Sequence, residues 1–295
     1  MSLHRRIRRT PKSLAGVSLL ALTTVAAAQE QAAPPEPAPE TSITLDTVKV
    51  EAERESANGP VEGYTARRSM SGTKTDAALV ETPQSVSVVG REQMDAQAVQ
   101  SITEATRYTP GVRSETFGAD SRNDWFLVRG FASQEAGYYL DGLQLLSASF
   151  ATWRLEPFGM ERVEAVRGPA SVLFGGTNPG GLLNLVSKKP PAENMGRVEV
   201  GINEFANGYG AVDFGGALGS GGDLFYRVTV LGRGGGTQVR NIDNNRLFLA
   251  PSLTWAPSER TTLTVHGSYL FDQTRGQGFL PYEGTVVAAD RKSVV

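Results

Sequence analysis

The chain has 295 residues, with 29 Lys+Arg against 31 Asp+Glu and a formal charge of −2, which excludes a nucleic-acid binder held by bulk positive charge. It has no Cys and two His, His4 and His266, so thiol nucleophiles, clustered Cys/His zinc sites and Ser-His-Asp triads are excluded. A hydrophobic fraction of 40% suits a folded protein rather than a disordered chain, and 33 Gly predict many turns and close backbone contacts.

Residues 1–28 have the three regions of an export signal. His4 to Arg9 and Lys12 are basic, Leu14 to Val25 is apolar, and Ala26-Ala27-Ala28 offers a small-residue cleavage site. The apolar stretch falls short of the roughly 20 residues of a membrane-spanning helix. Removing residues 1–28 takes five of the 29 basic residues and none of the 31 acidic, leaving 24 against 31. Residues 29–43 are rich in Pro, Ala and Glu and predict an extended linker. An isolated β-branched run follows at 44–51, and 52–75 reads as a second flexible stretch.

From 76 to 191 the pattern predicts a compact α+β domain. Gln84 to Val89 alternates as a strand, and Arg91 to Tyr108 reads as one helical stretch ending at Thr109-Pro110-Gly111. Trp125 to Val128, Gly137 to Leu140, Val163 to Val166 and Leu182 to Ser187 read as further strands, the second closing at an Asp141-Gly142 turn. The Gly-rich 175–181 stretch lacks the Gly-Lys-Ser/Thr ending of a phosphate loop, so a tight turn is expected there.

Beyond 191 the alternation lengthens to roughly ten residues per strand, enough for a tilted strand to cross a bilayer. Val198, Val200 and Ile202 oppose Arg197 and Glu199; Leu224, Tyr226, Val228 and Val230 oppose Arg227 and Thr229. Leu247, Leu249, Leu253 and Trp255 oppose Arg246, Ser252 and Thr254, and Leu263, Val265 and Tyr269 oppose Thr264 and His266. With Tyr209 to Gly216 these make five strands. Short connections at 219–223 and 257–260 alternate with a long one at 234–245, as in outer-membrane barrels. A soluble sandwich with one wet face has the same alternation, so periodicity leaves both architectures open.

Six blocks in order carry a family resemblance: Thr82 to Val89, Tyr108-Thr109-Pro110-Gly111-Val112, Val128-Arg129-Gly130-Phe131, Tyr138 to Leu143, Met160 to Gly175 and Pro179 to Pro190. Together they resemble the TonB-dependent siderophore receptors of bacterial outer membranes, over about 72–285. The resemblance implies an α+β plug domain (76–191) inside a transmembrane antiparallel β-barrel of about 22 strands, of which 195–295 would supply the first five. An open edge in lipid leaves backbone groups unpaired, so five strands alone are not expected to transport. A frameshift or partial gene is the plain expectation for a chain ending at Val295. The spacing from signal to Thr44 leaves no room for a periplasmic signalling domain.

The same resemblance assigns roles. Thr44, Leu45, Asp46, Thr47, Val48, Lys49 and Val50 fall at the TonB box, which would add as a strand to a sheet edge of TonB. Arg129 and Arg167 would lock the plug to acidic residues of the barrel wall. A ferric siderophore would be held by the outward loops 114–124, 132–136 and 144–153, with Phe117, Phe150 and Trp153 stacking and Arg122 and Gln134 hydrogen-bonding. Where a hydroxamate-receptor relative carries Arg and Tyr, this chain has Phe117 and Phe150, so the resemblance does not carry over that relative's siderophore. No enzymatic activity, resident metal or cofactor is implied; iron would enter only as a chelate. The remaining alternatives are another substrate of the same machinery, such as cobalamin or a glycan, and a soluble periplasmic plug-like protein.

Overall fold

The computed structural model describes residues 55–148, 152–219, 221–258 and 260–276. The expected export signal, linker and TonB box, and Phe150, lie outside the described residues.

A short hairpin opens the described chain, β1 (Arg68–Ser69) against β2 (Ala77–Ala78), and a 3-10 turn at Leu79–Glu81 follows. Next come β3 (Ser85–Gly90), α1 (Arg91–Ala96), α2 (Ile102–Ala105) and three short strands, β4 (Val112–Ser114), β5 (Phe126–Val128) and β6 (Phe131–Ala132). The hairpin β7 (Tyr138–Leu140) and β8 (Leu143–Gln144) follows, then β9 (Met160–Arg167), α3 (Ser171–Phe174) and β10 (Gly181–Ser187). Five of these strands form one mixed sheet in the order β3-β9-β10-β7-β8, while β4, β5 and β6 form a small second sheet.

β9 and β10 are buried along almost their whole length, because both faces of the central sheet are covered. Val163, Ala165, Leu183 and Leu185 pack with Met94, Ile102, Phe126 and Tyr138 on one side. Val166 and Leu182 pack with Tyr139, Ala170 and Phe174 on the other. The β7–β8 turn uses Asp141 at φ 51° and Gly142 at φ 80°, the paired positive values of a two-residue hairpin turn.

One expectation is corrected. Arg91 to Tyr108 is two short helices rather than one, broken where Ala98 takes φ 50°. The second helix has its own start signal: Ser101 Oγ accepts from the Glu104 amide, and the Glu104 carboxylate accepts from the Gln100 amide. That is the Ser-x-x-Glu capping pattern, and it was present in the sequence.

The second layer is an antiparallel sheet of β11 (Met195–Ile202), β12 (Gly208–Ala217), β13 (Leu224–Gly234), β14 (Asn244–Ser258), β15 (Thr261–His266) and β16 (Tyr269–Thr274). β11 to β14 pair in sequence order, and β15 and β16 both pair with β14. Their register runs unbroken from Ser252↔His266 to Leu249↔Tyr269, so β15 and β16 are one strand with a gap at 267–268. Pro251 causes the gap. Its carbonyl accepts from the Gly267 amide at 2.8 Å, but a proline has no N–H to return the second bond. The five expected strands are therefore present.

The polarity of this sheet decides between barrel and sandwich. Val198, Val200, Ile202, Leu247, Leu253, Trp255, Leu263, Val265, Tyr269 and Phe271 are all exposed on its outer face, Val200 to 83%. Asp213, Arg227, Thr229, Arg233 and Arg246 are buried on the inner face, against the plug. A sandwich buries its apolar face and wets its polar one; here the arrangement is reversed, as lipid on the outside requires. Among the described residues no helix is long and apolar enough to cross a membrane.

Candidate functional site: the plug seated on the barrel wall

Three ionic clusters join the plug to the inner face of the wall. In the first, the Glu156 carboxylate, 1% exposed, accepts from Arg233 Nη2 at 2.8 and 2.7 Å and from Arg246 Nη1 at 2.8 Å. Arg246 also grips Asp272 through Nε and Nη2 at 2.6 and 2.5 Å. Arg154, two residues before Glu156, lies 3.6 Å from the same Asp272. Glu156 is placed by its own turn: it caps the 3-10 turn Pro157–Gly159 by accepting the Phe158 amide.

In the second cluster Asp213 of β12 accepts from four donors: Lys188 Nζ at 2.7 Å, Arg227 Nε and Nη2 at 2.8 Å each, and Thr229 Oγ1 at 3.1 Å. Lys188 sits where the plug passes into the wall and lies 4.3 Å from the centre of the Phe158 ring. Its burial lowers its pKa to about 8, against the pull of Asp213. The third is Arg197 of β11 on Asp95 of α1, which also takes Arg91 Nε at 2.8 Å. Between the clusters Phe158 packs on Ala211, Leu231 and Phe248. A Cβ at Gly159 would come within 2.5 Å of Phe248 Cζ, so glycine is required for that close approach.

The sequence placed Arg197, Arg227 and Arg246 on the face opposite the apolar row but did not give their partners, which lie up to 102 residues away in the chain. Arg129 and Arg167 behave differently. Arg167 donates to Ser85 Oγ, Ser87 Oγ and the Pro110 carbonyl at 3.0, 2.7 and 2.8 Å, all within the plug. Burial lowers its pKa, and the neighbouring Arg129 lowers it further. Both side chains lie beside Gly111, where a Cβ would meet Arg167 Cδ at 3.0 Å and Arg129 Cγ at 3.9 Å.

The outward loops occupy one end of the molecule, with the β11–β12 and β13–β14 connections. Ser121 Oγ lies 2.6 Å from Thr274 Oγ1, and Arg154 Nη1 reaches Asn244 Oδ1 at 3.3 Å. Of the expected contacts, Phe117 is about half exposed and meets Trp125 edge-on at 5.4 Å. Arg122 lies 3.6 Å from Asp120, whose carboxylate also accepts from Trp125 Nε1 at 2.9 Å. Trp153 is half exposed and tied by Nε1 to the Leu146 carbonyl at 2.8 Å. Gln134 is partly buried, and its backbone carbonyl accepts from Ser147 Oγ at 3.1 Å.

A cleft of about 660 Å³ opens at this end between the plug and the wall connections. Arg107, Glu115, Asp120, Ser121, Tyr209 and Gln238 are among its lining residues; the expected contacts Phe117, Arg122, Gln134 and Trp153 are not. Behind it the fully buried Asp124 accepts the Tyr138 hydroxyl at 3.1 Å. Burial raises the Asp124 pKa, opposed by Arg154 and Arg246. No group of three or more metal-ligating side chains occurs among the described residues.

A plug docked by buried ion pairs onto a sheet with a lipid-facing apolar surface defines a plugged outer-membrane barrel protein. The family model described as the TonB-dependent receptor plug domain matches residues 78–182. The ferrichrome outer membrane transporter/phage receptor of Escherichia coli K12 is 38% identical over 246 residues, covering 82% of this chain and 33% of that protein. The ferrioxamine receptor of Yersinia enterocolitica is 34% identical over 253 residues, 84% of this chain and 35% of that protein. The ferripyoverdine receptor of Pseudomonas aeruginosa, solved with ferripyoverdine bound, aligns with a TM-score of 0.68 at 25% identity, over 76% of this chain and 30% of that one. The chain carries the TonB-dependent receptor plug domain over residues 78–182 and is similar to the N-terminal portion of siderophore receptors that share it. It spans about a third of the length of the curated relatives it matches.

Proposed function

We propose that the chain serves in an outer-membrane receptor that binds an extracellular ferric siderophore and imports it with energy from the inner membrane through TonB. Residues 1–28 direct export, 29–43 form a flexible link, and Thr44 to Val50 present the strand that TonB grips, whereas 55–75, expected to be flexible, carries β1 and the buried Ser69 and Ser71. The observation that carries the reading is the 38% identity to a ferrichrome transporter over a segment that includes both plug and wall.

Phe117 and Trp153 offer half-exposed rings, and Arg122 and Gln134 polar groups, as contacts for the siderophore, with Phe150 as a further aromatic contact. Aromatic faces suit a bulky chelate, and Arg122 suits hydrogen bonds to its oxygen atoms. Arg129 and Arg167 take acidic partners from further wall strands. No resident metal or cofactor has a role in this scheme; the iron is cargo.

Tryptophan fluorescence tests the binding step. The purified chain, folded in detergent, is titrated with ferric complexes of ferrichrome, ferrioxamine B and pyoverdine. At least one is expected to quench saturably, with Trp153→Leu weakening it. Equal, non-saturating quenching by all of them, and by a cobalamin control, would refute the siderophore assignment.

A further inference from the structure

The segment 55–71 enters the plug ahead of its main sheet, yet few of its side chains join the core; Ala57 and Val61 are its buried apolar residues. One side chain holds its backbone. Arg162 of β9, 0% exposed, donates Nε to the Gly59 carbonyl at 3.0 Å, Nη2 to the Ser56 carbonyl at 2.9 Å and again to Gly59, and Nη1 to the Arg68 carbonyl at 3.0 Å. Glu55 stands 3.9 Å from the same guanidinium and accepts the Arg67 amide at 2.9 Å. Three carbonyls of a single segment converge on one guanidinium more than ninety residues away in the chain.

The network continues inward. Arg162 Nη1 lies 3.4 Å from Glu164, whose carboxylate accepts from Ser69 Oγ at 2.9 Å and from Ser71 Oγ. Ser71 Oγ accepts from Asn184 Nδ2 at 2.8 Å, and Asn184 Oδ1 accepts from the Gly142 amide at 2.8 Å. Gly142 is in the β7–β8 turn, and β8 leads directly into the outward loop 144–153. A contiguous buried polar chain thus runs from that loop's base to the segment that begins four residues after Glu51.

We propose that Arg162 is a clasp that keeps segment 55–71 docked, and that its release frees the chain next to the TonB-binding strand. The second half rests on the TonB-box reading of Thr44 to Val50 given above. Tension applied ahead of residue 55 loads the Ser56 and Gly59 carbonyls first, and both bonds end on the same side chain. An arginine suits this task because its planar fork offers five donors in fixed directions, and no lysine can reach three separate carbonyls in that geometry. The clasp is a positioning device rather than a ligand contact.

Hydrogen–deuterium exchange on the whole chain in detergent tests it. Arg162→Met leaves Glu164 buried without its cation, so the paired variant Arg162→Met/Glu164→Gln is the main reagent, with Arg162→Lys beside it. The clasp predicts about tenfold or greater acceleration at the amides of Ala57, Gly59, Arg67 and Ser71 in the paired variant, and a smaller rise in Arg162→Lys. Protection of Val163 to Val166 and Leu182 to Val186 is expected to stay within about twofold. Unchanged exchange at 57–71, or equal acceleration in β9 and β10, would overturn the clasp. Adding the periplasmic domain of TonB to the unmodified chain is expected to accelerate the same four amides. Binding without that acceleration would overturn the release step. Failure of TonB to bind would defeat the TonB-box reading and the release step with it, while the variants still decide the clasp.

Discussion

Glu156→Gln isolates the contribution of the plug-to-wall ion pairs. The substitution preserves shape and removes one negative charge from a site where Glu156, Arg233 and Arg246 have side chains 1%, 3% and 0% exposed. Arg246 keeps its two bonds to Asp272, so most of the loss falls on Arg233, left with the Gln100 carbonyl at 3.0 Å. Removing one partner of a buried pair costs about 3–5 kcal/mol, and the surviving Asp272 contact places Glu156→Gln near the lower figure, about 3 kcal/mol. Urea unfolding in detergent micelles, followed by tryptophan fluorescence, measures the loss. A double-mutant cycle with Arg233→Met then separates pairing from mere burial. If the account is right, the double variant recovers about 2 kcal/mol relative to the sum of the singles, because no uncompensated charge remains. A loss under about 1 kcal/mol for Glu156→Gln, or strict additivity, would refute the pairing argument.

Three further outcomes follow from other parts of the structure. The Lys188 pKa falls from 10.5 to about 8 in the folded chain, so the unfolded state binds the extra proton between those values and stability gains from this group as pH rises from about 8 to 10.5. The gap is worth about 3 kcal/mol, and Lys188→Met should lose that pH dependence while the unmodified chain keeps it; parallel unfolding curves from pH 7 to 11 would contradict this. Within one Gly-rich loop, Gly181→Ala should prevent folding, since φ is +131° and the new Cβ would lie 2.1 Å from the Val166 carbonyl, whereas Gly176→Ala meets nothing within 4 Å and should be neutral; thermal melts of the two compare them directly. Leu249→Arg, near the middle of β14 on the outer face, should cost about 2–4 kcal/mol of folding into bilayers, and no effect there would favour a water-facing sheet.

Much of this architecture was legible in the sequence, for identifiable reasons. The wall strands alternate so regularly that Arg227 and Thr229 fell opposite Val228 and Val230 before any coordinates, and period two fixes the face of every residue once one is known. What alternation does not give is which face meets lipid, because a sandwich has the same period. The direction came from the exposed apolar outer row. The plug's motifs locate β9 and β10, but the composition of 91–108 suits a single helix, and the break rests on Ala98 in a left-handed conformation. The ion clusters were the least legible part. Glu156 meets Arg233 and Arg246 across 77 and 90 residues, and only the docking of plug on wall brings them together.

The most direct test of the central claim is radiolabelled iron uptake in the bacterium that carries the chain, under iron limitation, before and after deleting the coding region for residues 55–276. The account predicts that uptake from at least one ferric siderophore is lost on deletion, and that depleting TonB in the undeleted strain abolishes the same uptake. Uptake of every siderophore tested at the undeleted rate, or uptake that persists without TonB, would contradict it.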